Sequence, residues 1–123
     1  MTGPATERQV EAAVVDLFLR AGWHSVKTDA ALVIRGGRRR GSIQAGFPDR
    51  VFLLGLGAEA LLTLACVVEL KTDSGQLSPD QIDMHNHLRD HYRIHPHVIR
   101  SAEQAVHLIR AGQVLQARLK EVL

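Results

Sequence analysis

The sequence predicts a mixed α/β domain, on three observations. Apolar residues Val10, Ala13, Val14, Leu17 and Phe18 recur at spacings of three and four, the period of an amphipathic helix. Two aliphatic runs, residues 49–54 and 61–71, flank a glycine-containing turn and read as a strand pair. Ser78 followed by Pro79 has the pattern of a helix start. Helices alternating with strands, with no internal repeat or low-complexity linker, point to one α/β unit. At 123 residues the chain fits a single domain over residues 1–123.

The first helix is expected over residues 5–21, with Gly22 placed to stop it. Residues 23–35 alternate loosely through Val26, Leu32, Val33 and Ile34, giving one or two short strands that run into the loop RGGRRRGS. Pro48 opens the run from Asp49 to Leu54, and the run ending at Lys71 pairs with it as a hairpin. A helix follows over residues 79–91. Residues 93–100 read as a strand interrupted by Pro96, and Ser101 with Glu103 and Gln104 caps a helix through Ala105, Leu108 and Ile109. Residues 113–122 are expected to form another helix. Trp23 and Tyr92, each beside an apolar segment, are expected in the core.

Composition narrows the function classes. The chain is 46% hydrophobic and 23% charged, as in an ordinary globular protein. The lone Cys66 has no partner for a disulfide within the chain, and the start MTGPATERQVEAA lacks a signal peptide's basic and apolar regions, so a reducing cytoplasmic setting is expected. Residues 51–70 approach a bilayer span in length, but Gly55, Gly57, Glu59 and Glu69 break it, so no membrane association is expected. There is no Gly-x-x-x-x-Gly-Lys phosphate loop, no Gly-x-Ser-x-Gly elbow and no Cys-x-x-Cys pair.

The chemistry gathers around Glu69 and Lys71. Side chains alternate along a strand, so these two share one face while Val68 and Leu70 share the other. Charges at the end of a run as apolar as LLTLACVV cost several kcal/mol unless a partner or metal compensates them. Asp49, at the start of the preceding strand, comes beside Glu69 if the two strands pair. Two converging carboxylates suit Mg²⁺ or Mn²⁺, hard cations that prefer oxygen and keep several waters. With a lysine beside them, the arrangement is one that cleaves phosphodiesters.

Three segments carry a resemblance: Gly46-Phe47-Pro48-Asp49, then Glu69-Leu70-Lys71, then Gly75-x-Leu77-Ser78-x-x-Gln81. Together they resemble the VRR-NUC branch of the PD-(D/E)XK nucleases, and residues 7–109 follow the pattern. The resemblance implies a restriction-endonuclease-like core with a mixed central sheet flanked by helices. It implies that Asp49 and Glu69 bind Mg²⁺ or Mn²⁺, that the backbone carbonyl of Leu70 completes the shell, and that Lys71 positions the attacking water. Gln81 would support the site from its helix, and an acidic residue on the first helix would join it, Glu7 matching the pattern better than Glu11. Stand-alone members of this branch act as homodimers on branched DNA such as Holliday junctions. The chain is therefore expected to be a DNA endonuclease of that kind, with a general or end-directed nuclease and a non-cutting nucleic-acid-binding module as rivals.

Arg35, Arg38, Arg39 and Arg40 precede the Asp49 motif in a glycine-containing loop, where they would contact backbone phosphates, as would Ser78. The apolar residues Val114, Leu115, Leu119 and Val122 would furnish part of a dimer interface. His85, His87, His91, His95 and His97 form a cluster, but no cysteine or well-spaced carboxylate completes a zinc site. His85, one turn after Gln81, is placed to border the active site.

Overall fold

The computed structural model describes residues 3–28 and 43–120. Its elements run α1 (Glu7–Arg20), β1 (His24–Lys27), β2 (Arg50–Leu56), β3 (Leu62–Leu70), α2 (Pro79–Tyr92), β4 (His97–Ile99) and α3 (Ala102–Leu119). Helix α1 starts where a reciprocal pair of hydrogen bonds satisfies its first amides: Gln9 N–H donates to Thr6 Oγ1, and Thr6 N–H donates to Gln9 Oε1. It ends at Gly22, whose φ of +92° an L-residue with a side chain rarely adopts.

Among the described residues the four strands form one sheet in the order β1-β2-β3-β4. β1 pairs antiparallel with β2, β2 antiparallel with β3, and β3 parallel with β4. The expected hairpin is therefore present, and α2 makes the crossover that a parallel pair requires. This is the expected mixed α/β architecture.

Register decides which side chains go where. Phe52 and Leu54 from β2 and Cys66, Val68 and Leu70 from β3 point to one face, which α1 and α3 cover. There Val10, Val14 and Phe18, one turn apart on α1, meet Ala105 and Ile109 of α3. Phe18 stacks on Phe52 with ring centroids 3.8 Å apart and meets Trp23 edge-on at 5.2 Å. Glu69 has the opposite parity and faces α2.

Several expectations are corrected. Residues 102–119 form one helix rather than two. Gly112, just before the expected second helix, sits inside α3 where the helix passes close to Trp23: a Cβ there would lie 2.4 Å from Trp23 Cζ2. Ser101 makes no side-chain capping bond among the described residues, and Gln104 Oε1 instead accepts from Arg100 N–H at 2.6 Å. The strand expected over residues 93–100 shrinks to its last part, since Arg93 takes up a left-handed conformation (φ 56°) that ends α2. Tyr92 is not in the core; it is 62% exposed, with its ring edge-on to His87. Residues 32–35 of the expected second strand lie outside the described residues.

Gly112 makes a test of this packing. Glycine to alanine inside a helix ordinarily stabilises by up to about 1 kcal/mol. Overpacking a core costs roughly 1–3 kcal/mol, and the indole ring cannot move away without disturbing Phe18. Gly112→Ala is thus expected to lower the thermal midpoint; a raised midpoint would mean that α3 does not approach Trp23 this closely.

Candidate active site

The ladder that pairs Arg50 with Val68 places Asp49 opposite Glu69, one step beyond the last paired residues. The Asp49 segment is pinned from several sides. Thr28 N–H donates to Asp49 O at 2.9 Å, and Thr28 Oγ1 donates to Pro48 O at 2.6 Å. Leu70 N–H donates to Asp49 Oδ2 at 2.9 Å, so the carboxylate reaches across to the β3 backbone beside Glu69.

Glu69 is 0% exposed. Its Oε1 lies 3.3 Å from His85 Nε2, and its Oε2 has no hydrogen-bond partner among the described residues. Burial, then the closeness of the Asp49 carboxylate, push the Glu69 carboxyl up to about 9, against a weaker opposing pull from Lys71 and a small further push from Glu7. Two carboxyl groups forced together in a dry place need a shared proton or a cation between them. The donor types present suit a Mg²⁺ or Mn²⁺ ion: two carboxylates, with the backbone of Leu70 beside them. Among the described residues no three His, Cys, Asp or Glu side chains form a group that could hold a metal ion.

The structure brings Asp49, Glu69 and Lys71 together, with Lys71 half-buried and its N–H bound to Ile99 O at 3.1 Å. It separates the two candidate helix acids. Glu11 faces Arg50 on the α1 side of the sheet, with Oε1 3.4 Å from Arg50 Nη2 and 4.0 Å from Lys27 Nζ. Glu7, at the start of α1, is the one whose charge is felt at Glu69. Gln81 is half-buried, and its side chain caps its own helix: Ser78 N–H donates to Gln81 Oε1 at 2.9 Å, while Gln81 N–H donates to Ser78 Oγ at 3.2 Å. Ser78 is exposed at that helix start. Arg35, Arg38, Arg39 and Arg40 lie outside the described residues.

Two residues gain importance from the structure. His85, 2% exposed, is the direct neighbour of Glu69, and its place one turn after Gln81 was the sequence signal for it. Arg100 gave no signal in sequence. Its Nη1 donates to Thr72 O at 2.6 Å and Gly75 O at 2.7 Å, holding the loop that carries Lys71 to α2.

The raised Glu69 carboxyl has a consequence for stability. Between about 4.5 and about 9 the folded chain holds a proton on Glu69 that the unfolded chain has released. Without divalent cations this contribution is therefore full below 4.5 and is lost as pH climbs through about 9. Urea unfolding in EDTA across this range is expected to show a decline that Glu69→Gln lacks; superimposable pH profiles for the two proteins would contradict it.

No protein-family model matches the chain, and no characterised protein sequence matches it either. A solved structure described as a "VRR_NUC domain" does match, with 22% sequence identity and a TM-score of 0.57, over 86% of this chain and 97% of that one. At this identity the likeness shows the fold, and the restriction-endonuclease-like core expected from the motifs is the fold found.

Proposed function

We propose that the chain is a metal-dependent endonuclease that hydrolyses DNA phosphodiesters, working as a homodimer on branched DNA such as a four-way junction. The observation that carries the proposal is the buried, half-unpartnered carboxyl of Glu69 against Asp49. Such a pair destabilises the empty protein, which is the mark of a site shaped for a ligand. The motif resemblance and the VRR_NUC fold of the structural neighbour point the same way.

Asp49 and Glu69 would hold a Mg²⁺ or Mn²⁺ ion, with the Leu70 carbonyl as a third donor and Glu7 nearby. When bound, the ion supplies an acidified water and positive charge for the phosphate. The chain's own residues do the rest. The Leu70 N–H fixes the orientation of Asp49. Lys71 brings its ammonium to the same face as Glu69, where it stabilises charge building on the phosphate and orients the attacking water. Gln81 and Ser78 lock the start of α2 beside the site. Arg35, Arg38, Arg39 and Arg40 stand just before the Asp49 motif in sequence and would contact the DNA backbone.

The dimer follows from the chemistry, since one such site cuts one strand and a twofold pair makes the symmetric cuts that a junction needs. Val114 and Leu115, exposed on α3, are available for its interface. No helix among the described residues is long and apolar enough to cross a membrane.

A gel assay on a synthetic four-way junction and a matched linear duplex, in Mg²⁺, Mn²⁺ or EDTA, tests this reading. Paired, metal-dependent nicks confined to the junction are expected. Cutting of both substrates would replace it with a general nuclease, and binding without cutting would replace it with a nucleic-acid-binding module.

A further inference from the structure

We infer that His85 is a positioning residue that holds Glu69 by Oε1 so that Oε2 is presented to the divalent cation. The inference rests on the metal-site reading above.

The two oxygens of Glu69 have different surroundings. Oε1 meets His85 Nε2 at 3.3 Å, at the long end of hydrogen-bonding range, whereas Oε2 is buried without a partner among the described residues. A carboxylate with one oxygen tethered and the other bare is oriented for a ligand on the bare side. Unrestrained, the side chain would have to be ordered at the moment of binding; tethered, it is ordered in advance.

Histidine suits the task because a ring nitrogen can donate to a carboxylate oxygen, and α2 brings that nitrogen to Glu69 from a buried position.

The rest of α2 is built to keep His85 in place. The capping pair of Ser78 and Gln81 fixes the helix start, and Leu88, buried three residues beyond His85, anchors its next turn. Gly46, lying against the backbone of Asp80 and Gln81, ties that start to the segment that carries Asp49. The helix thus delivers His85 to Glu69 from the face opposite the main core.

Titrating the metal-free protein with Mn²⁺ and following free Mn²⁺ by electron paramagnetic resonance, with no DNA present, tests this without reference to cleavage. Loss of a residue that orients a metal ligand typically weakens affinity by about 10- to 100-fold, and His85→Ala is expected to fall in that range. His85→Gln, which keeps a neutral N–H donor, is expected to recover much of the loss, which a merely space-filling role would not require. Wild-type affinity in a folded His85→Ala protein would overturn the inference, as would equal weakening in both variants. Glu69→Gln separates the two readings: if the wild type binds no Mn²⁺, or if Glu69→Gln binds as the wild type does, the metal site itself is wrong.

Discussion

Asp49→Asn and Glu69→Gln are each expected to reduce cleavage about a thousandfold or more, because an activated water and a neutralised phosphate are together worth several kcal/mol and each 1.36 kcal/mol is a factor of ten. Both changes keep the side-chain volume, so the fold should persist. Glu69→Gln carries a second, less usual expectation. It removes an ionisable group that burial and Asp49 push up to about 9, so the variant is expected to be more stable than the wild type at pH 8 without metal. Lost activity with gained stability is what a residue retained for function, at a cost to the fold, should give. Lys71→Ala is expected to lose activity comparably while leaving Mn²⁺ binding largely intact. Near-wild-type cutting by any of the three variants in a single-turnover assay would move the active site elsewhere.

Gly46→Ala is expected to be the most damaging single change outside the charged residues. Gly46 has φ +79°, and a Cβ there would fall 2.1 Å from the Asp80 carbonyl oxygen and 2.8 Å from Gln81 N. Left-handed backbone in a residue with a side chain costs roughly 1–3 kcal/mol, and the overlap is with the backbone of a capped helix start, which cannot swing aside as a side-chain tip can. Relief requires α2 to separate from the Asp49 segment, so His85 and Gln81 would withdraw from the site along with it. Denaturant unfolding should show a loss of several kcal/mol, and the folded fraction should cut poorly. A variant with wild-type stability and activity would show that this close approach is not made.

How much was legible in the sequence follows from the range of the interactions involved. Ser78, Pro79 and Gln81 announced α2 because a capping box is a local device completed within four residues. The β2–β3 pair was legible from two apolar runs and a short turn, and with it the meeting of Asp49 and Glu69, which follows from register. The pairing that places Leu70 N–H on Asp49 is the physical content of that motif. The continuity of α3 through Gly112 was not legible for the converse reason: the contact that calls for a glycine there is with Trp23, far away in sequence. Tyr92 was misplaced because Arg93 turns left-handed immediately after it, directing the chain end of α2 outward. Glu7 and Glu11 share a helix face in sequence, and only the position of Arg50 on β2 shows that Glu11 is already engaged. Arg100 was silent because it binds backbone carbonyls, which leave no trace in residue types.

The measurement that bears most directly on the account is the anomalous scattering of Mn²⁺ in crystals of the protein grown with that ion. One strong peak is expected between the carboxylates of Asp49 and Glu69, on the Oε2 side and within reach of the Leu70 carbonyl. No peak there, or a peak only at the exposed pair His87 and His91, would contradict it.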